Sequence, residues 1–199
     1  MADKAWKRFE RKIAAYFGTT RALMKGTGQK KDIGPEDDFP LMLDCKHRPM
    51  SAWRLMAWFE ELEVAAVQET HARWPVLCFK EPGMSIEYAL VRQGPLVAFI
   101  MQRAKSLDPE IFVLRDGGNL KKSSLVAHWK IVRDRTKKLN GKKGGMDDLI
   151  PMLRLFDKSR QLDLLVLSPK DLARIFYAGG LLKKEMEEDQ CQKEQSRLM

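Results

Sequence analysis

A carboxylate and a lysine lie two residues apart near the end of a segment with strong β-strand character. This segment, FPLMLDCK, covers residues 39 to 46 and is mostly apolar. Side chains alternate between the two faces of a strand, so Asp44 and Lys46 share one face while Leu43 points to the other. The two side chains could therefore act together on one substrate group. The simpler alternative is a solvated cross-strand ion pair on a sheet with one exposed face.

A second acid, Asp32, precedes this strand and is separated from it by the turn-forming sequence GPEDD at residues 34 to 38. A hairpin-like loop here would bring the segment around Asp32 back alongside the strand and place a second carboxylate near Asp44. Mg²⁺ is usually held by one or two carboxylates, with water and phosphate oxygens in its other positions. The spacing therefore predicts a Mg²⁺ site, in which Mn²⁺ could substitute. The simpler alternative is that Asp32 caps a turn.

A third acid, Glu10, lies on the first predicted helix. Apolar residues recur at helical spacing between residues 3 and 17, and Glu10 falls on or beside the face that carries Ile13 and Phe17. A carboxylate on an apolar face is costly without a partner. A metal, a lysine or an ordered water would remove that cost, whereas an ordinary helical pair with Lys7 is the simpler alternative.

These acids and the lysine form a pattern that resembles the PD-(D/E)xK nuclease superfamily. Glu10 matches the acid of the opening helix, Asp32 the acid before the central strand, and Asp44-Cys45-Lys46 the motif that ends it. Within the superfamily the pattern is similar to archaeal and phage Holliday junction resolvases and related phage endonucleases. The resemblance covers roughly residues 1 to 92.

The resemblance implies an α/β fold in which a mixed central sheet is flanked by helices, and often a homodimer. It also implies hydrolysis of phosphodiester bonds with one or two metal ions. Asp32, Asp44 and the carbonyl of Cys45 would hold Mg²⁺. Lys46 would orient the attacking water and stabilise the charge on the phosphorane, and Glu10 would hold a second metal or its waters.

A structure-selective endonuclease for branched DNA, such as a Holliday junction, is the first interpretation of the substrate. A restriction-type endonuclease or an exonuclease of the same superfamily is the alternative within the same chemistry. A basic DNA-binding protein without catalytic activity is the alternative from a different class. Metal-dependent cleavage would separate the enzymes from the binding protein.

The charge of the chain favours a polyanionic partner. The sequence has 36 lysines and arginines against 27 acids, a net charge of +9. Residues 121 to 145 form a basic loop with nine basic residues and one acid. The candidate DNA contacts are Lys30, Lys31, Arg48, Lys80, Lys137, Lys138, Lys142 and Lys143.

The remaining elements extend the α/β pattern. A helix is predicted from Ser51, and residues 74–80 and 86–92 are predicted to pair as a hairpin. A strand is predicted at residues 162–168, with a helix from Pro169. The segment PLVAFIMQRA could be either helix or strand. We therefore expect a nuclease core at residues 1–94, a C-terminal α/β extension at 95–182 that contains the basic loop, and a charged tail at 183–199.

The cysteines and the hydropathy pattern bear on where the protein acts. Three cysteines without a C-x-x-C pair indicate neither a disulfide framework nor a zinc site. No apolar run approaches the roughly 18 residues that span a bilayer. We therefore expect no membrane association and a cytoplasmic location, which is the host cytoplasm if a phage encodes the protein.

Overall fold

The computed structural model describes residues 5–19, 39–48, 51–68, 73–105, 107–113, 132, 134 and 149–183. The segment around Asp32, nearly all of the basic loop and nearly all of the charged tail lie outside these residues. In chain order the helices and strands are α1 (Ala5–Tyr16), β1 (Leu41–His47), α2 (Ala52–Gln68), β2 (Trp74–Lys80), β3 (Tyr88–Arg92), α3 (Gln93–Arg103), β4 (Asp108–Val113), β5 (Leu149–Asp157), β6 (Leu162–Leu167) and α4 (Pro169–Ala178).

The six strands form one mixed sheet in the order β1-β2-β3-β6-β5-β4. The outer pairs at the two ends, β1 with β2 and β4 with β5, are parallel. The three inner pairings are antiparallel, and the predicted hairpin is present as β2 and β3. The predicted α/β class, with a mixed sheet and flanking helices, is therefore confirmed.

The helices α1 and α2 cover opposite faces of β1. Parallel pairing of β1 with β2 requires a crossover, which α2 supplies. The ring of Phe9 on α1 lies 6.2 Å from that of His47, whereas the ammonium of Lys46 lies 5.5 Å from the ring centre of Trp58 on α2. The face that carries Asp44 and Lys46 is therefore the α2 face, and α1 covers the face of Cys45 and His47.

The strands after residue 95 continue the same sheet, because β6 pairs with β3. Both are almost fully buried along their length, as expected for central strands with helices on both faces. The predicted strand near residues 162–168 and the helix from Pro169 are confirmed. The hydroxyl of Ser168 accepts a hydrogen bond from the Asp171 backbone N–H at 3.0 Å and so caps α4.

The ambiguous segment PLVAFIMQRA is helical and forms most of α3. Its Phe99 joins α3 to the rest of the core, because Trp74 and Phe176 each lie 5.7 Å from its ring centre, edge to face. Among the described helices, none has both the length and the apolar character needed to cross a membrane.

Candidate functional site

Asp44, which is buried, forms an ion pair with the partly buried Lys46 near the end of β1. Asp44 is only 8% exposed, and its Oδ2 lies 2.6 Å from Nζ of Lys46. The lysine side chain is 22% exposed and packs over the indole of Trp58. Aspartate is seldom this buried without a strong partner. The burial does not fit the solvated ion pair of the simpler interpretation, and the shared face follows the strand alternation.

Glu10 and Lys46 lie on the wall of one depression, which has a volume of about 280 Å³. The residues that line it come from α1 and from the end of β1, and are Trp6, Phe9, Glu10, Cys45, Lys46, His47 and Arg48. The strand β1 is the outermost at its end of the described sheet. Glu10 approaches the strand end from the α1 side, while Asp44 approaches it from the α2 side and contacts the same Lys46.

Cys45 lies between the two acids, and its environment suppresses its reactivity. Burial of the thiol raises the pKa of Cys45 well above its usual value, and the hydrogen bond with Cys78 and the charges of Asp44 and Glu10 raise it further. Because the thiolate is the nucleophilic form, Cys45 does not fit a role as a nucleophile. The negative charges of both carboxylates nevertheless raise the pKa of this one thiol, so both lie near the end of β1.

The donor chemistry of this site suits a hard divalent cation. Glu10 and Asp44 contribute carboxylate oxygens, which Mg²⁺ prefers over nitrogen or sulfur. Within the residues that the structure describes, no group of three or more acidic, histidine or cysteine side chains comes together to hold a metal. Asp32, the third predicted carboxylate, lies outside the described residues. Glu10 and Asp44 are thus of the ligand type that Mg²⁺ prefers, and of these two carboxylates Glu10 lines the depression while Asp44 lies on the α2 side of β1.

The predicted DNA contacts fall into three groups. Arg48 lines the depression, and its guanidinium lies 4.4 Å from the ring centre of Trp58. Lys80 pairs in register with His47 but does not line the depression, and its Nζ lies 3.7 Å from Oε1 of the buried Glu87. Lys12 donates to the same carboxylate at 2.9 Å, and this hydrogen bond raises the pKa of Lys12. The others lie outside the described residues, and are Lys30, Lys31, Lys137, Lys138, Lys142 and Lys143.

Sequence reasoning did not assign the two tryptophans at the site. Trp6 belongs to the apolar repeat of residues 3 to 17, yet it is 39% exposed and lines the depression. Its spacing of four residues from Glu10 could have revealed it, because residues i and i+4 share one face of a helix. Trp58 lies under two cations, and no local signal in the sequence predicts that contact.

The depression at the end of β1 brings the carboxylate of Glu10 together with a lysine and an arginine, and the lysine pairs with Asp44. Such a set of groups can hold a phosphate and a cation and can stabilise negative charge that develops on the phosphate. Comparisons with protein-family models, curated proteins and solved structures find no match for this chain.

Proposed function

We propose that this protein is a Mg²⁺-dependent nuclease that hydrolyses phosphodiester bonds in DNA. The observation that carries the proposal is the buried ion pair of Asp44 and Lys46, 2.6 Å apart, which shares the end of β1 with Glu10. The resemblance of these residues to the PD-(D/E)xK superfamily supports the same chemistry, and the net charge of +9 favours a polyanionic substrate.

The burial of the ion pair argues for a role beyond stability. Removing two charges from water costs several kcal/mol for each ion, and their attraction often does no more than offset that cost. Buried charged groups beside an open depression are therefore candidates for function. Lys46 holds Asp44 in place, and a divalent cation would compete for the same carboxylate and leave the ammonium free to contact a phosphate.

In this proposal Asp32, Asp44 and the Cys45 carbonyl would hold Mg²⁺, and Glu10 would hold a second ion or its waters. The ion, when bound, polarises the phosphate and acidifies the attacking water. Lys46 orients that water and stabilises the charge that develops on the phosphate oxygens. Arg48, on the wall of the same depression, holds a neighbouring phosphate.

The first prediction is that Asp44→Asn and Lys46→Ala each abolish Mg²⁺-dependent cleavage while DNA binding is largely retained. Each variant removes one charged group from the proposed catalytic site but leaves the other lysines and arginines that are predicted to contact DNA. Cleavage is measured on labelled DNA with Mg²⁺ and with EDTA, and binding is measured separately in EDTA.

Asp163→Asn is the matched control, since Asp163 pairs with Arg154 across β5 and β6 at 2.8 Å, away from the depression. It removes an equivalent ion pair and should leave cleavage unchanged. Circular dichroism checks that all three variants fold. Wild-type cleavage by folded Asp44→Asn or Lys46→Ala would refute the assigned site.

For the substrate we propose branched DNA, with a restriction-type or exonucleolytic nuclease as the alternative of the same chemistry. A comparison of four-way junction, flap, linear duplex and single strand in one gel distinguishes these. If the protein binds these DNAs but cleaves none of them with Mg²⁺ or Mn²⁺, the nuclease proposal fails and the alternative of a non-catalytic DNA-binding protein is favoured.

A further inference from the structure

An exposed indole forms part of the rim of the depression. Trp6 is 39% exposed and lies one helical turn before Glu10 on α1, so both side chains line the depression. The neighbouring Phe9 is 4% exposed and packs against His47. The two aromatic residues of this helix turn therefore differ in role, because Phe9 fastens α1 to the sheet while Trp6 offers ring surface to a ligand.

One cation lies over this indole, and two more line the same depression. The ammonium of Lys7 lies 5.8 Å from the centre of the Trp6 ring, and Lys46 and Arg48 line the same depression. Aromatic rings between basic residues are the composition of surfaces that bind single-stranded nucleic acid, where bases stack and cations follow the phosphates. A surface that binds only the outside of a duplex needs the cations but not the exposed ring.

The size of the depression points in the same direction. Its volume of about 280 Å³ lies just below the range of sites that enclose small molecules, which is the scale of a single base or phosphate group and far too small to enclose a duplex. Inside a duplex both faces of each base are covered by neighbouring bases. Only an unpaired or extruded base can offer its face to Trp6.

From these features we infer that Trp6 stacks on an unpaired base beside the scissile phosphate. The preferred substrate is therefore single-stranded DNA, or the unpaired segment of a flap or branched structure, rather than uninterrupted duplex. The inference rests on the proposed function for the identity of the nearby phosphate, and it makes Trp6 a specificity-determining residue.

The test compares Trp6→Ala and Trp6→Phe with wild type in EDTA, where no cleavage occurs. Binding of a short fluorescein-labelled oligothymidylate and of a labelled duplex of matched length is followed by fluorescence anisotropy. Trp53→Ala is the matched control, because Trp53 is similarly exposed, at 44%, but lies on α2 beneath the guanidinium of Arg160, 4.8 Å from its ring centre.

We expect Trp6→Ala to weaken binding of the single strand roughly tenfold, in line with the loss of one stacked base, and to change duplex binding less than about twofold. Trp6→Phe should retain most of the affinity for the single strand, and Trp53→Ala should change the affinity for neither substrate. An abasic site placed along the strand should weaken binding by the wild-type protein but not by Trp6→Ala, because the same stacking contact cannot be lost twice.

Equal losses on single strand and duplex, or no loss on either, would overturn the inference. The proposed function is tested by a different measurement, which is metal-dependent cleavage by the wild-type protein. If Trp6→Ala loses single-strand binding selectively but wild type shows no metal-dependent cleavage, the nuclease proposal fails and the stacking site stands. If wild type cleaves DNA with Mg²⁺ but Trp6→Ala binds and cuts the single strand as well as wild type does, the nuclease stands and the stacking site is overturned.

Discussion

At the scale of single residues, the end of β1 concentrates charge that the fold alone does not require. Asp44 is 8% exposed beside Lys46, and Glu10 faces the same strand end from α1. Other ion pairs of the sheet, such as Arg154 with Asp163, are more open to solvent, with side chains 32% and 30% exposed. The pair shares its burial with Glu87, which is also 8% exposed beside Lys12 and Lys80, so the match of Asp44, Lys46 and Glu10 to the predicted motif is what singles it out.

The second prediction is that Glu10→Gln sharply reduces Mg²⁺-supported cleavage without unfolding the protein. The amide keeps the shape of the side chain but removes the charge that would hold a cation or its waters. Cleavage rates are measured across a range of Mg²⁺ concentrations, and a weakened site should require more metal for half-maximal rate.

Glu61→Gln provides the control for this variant, because Glu61 is an exposed helical glutamate on α2 outside the depression. It removes the same charge from the chain and should leave the metal dependence unchanged. A fully active Glu10→Gln, or one that is inactive only because it is unfolded, would exclude Glu10 as a ligand.

At the scale of elements, the position of Glu10 depends on how α1 ends. The helix stops at Gly18, which adopts a φ of +63°, a conformation that L side chains rarely adopt. A Cβ at this position would come within 2.5 Å of the hydroxyl of Tyr177 on α4. Glycine therefore allows α1 to terminate against α4 and holds the helix that carries Trp6 and Glu10.

The third prediction is that Gly18→Ala lowers the free energy of unfolding by about 2–4 kcal/mol, the sum of backbone strain and steric overlap. Gly83→Ala is the control for strain alone. Gly83 has a φ of +78°, but a Cβ there would meet nothing within 4 Å. Gly83→Ala should therefore lower the free energy of unfolding by only about 1 kcal/mol.

Urea denaturation measures both variants, and adding Tyr177→Phe to Gly18→Ala should recover part of the loss by removing the overlapping hydroxyl. Equal stabilities for Gly18→Ala and Gly83→Ala would show that the contact with Tyr177 does not constrain the end of α1.

At the scale of the whole molecule, charge is distributed unevenly along the chain. The net charge is +9, and residues 121–145 contain nine basic residues against one acid. The predicted DNA contacts in this loop lie outside the described residues. Their contribution can still be measured, because each phosphate contact adds close to one unit to the salt slope of DNA binding.

The fourth prediction is that replacing Lys137, Lys138, Lys142 and Lys143 with serine weakens DNA binding and flattens its dependence on salt. The matched control replaces four exposed lysines elsewhere and so removes the same net charge: Lys105, Lys158, Lys170 and Lys183. Binding is measured between low and moderate salt. A slope that changes equally in the two variants would show that net charge alone, rather than contact by the loop, determines binding.

The fifth prediction is that the active species is a homodimer, as the family resemblance implies. Two matched nicks in a branched substrate require two sites, which a two-fold dimer supplies. The segment PLVAFIM mostly faces the core, with Leu96, Phe99 and Ile100 buried in α3. The helix α2 instead exposes Val64 at 58% and Val67 at 85%, so it is the better candidate for the interface.

Light scattering should give a mass of about 46 kDa, twice the 23.0 kDa of one chain. Val64→Lys together with Val67→Lys should shift the protein to the monomer mass, whereas Met101→Lys, at an exposed position on α3, should not. A strict monomer at working concentration that cuts linear duplex as readily as junctions would contradict this prediction.

Local patterns in the sequence determined the parts of this protein that depend on neighbouring residues. Alternation over residues 39–46 was enough to place Asp44 and Lys46 on one face of a strand, because side-chain direction in a strand has a period of two. Helical spacing predicted α1 and α2, and the start of α4 could be inferred from Pro169, because proline fits the first turn of a helix. The PD-(D/E)xK assignment stays a prediction, since no observation here tests it.

Only the tertiary structure decided which of these elements meet. The apolar run of α3 suits a helix or a buried strand equally well, and its packing against β3 and β6 selected the helix. The sequence patterns predicted no strand at β5, and its Pro151, which cannot donate a ladder hydrogen bond, nevertheless pairs with Glu110 of β4. The depression shared by Trp6, Glu10 and Lys46 likewise depends on α1 docking at the end of β1. Periodicity describes one element at a time, whereas these contacts arise when elements far apart in the chain bury their apolar faces together.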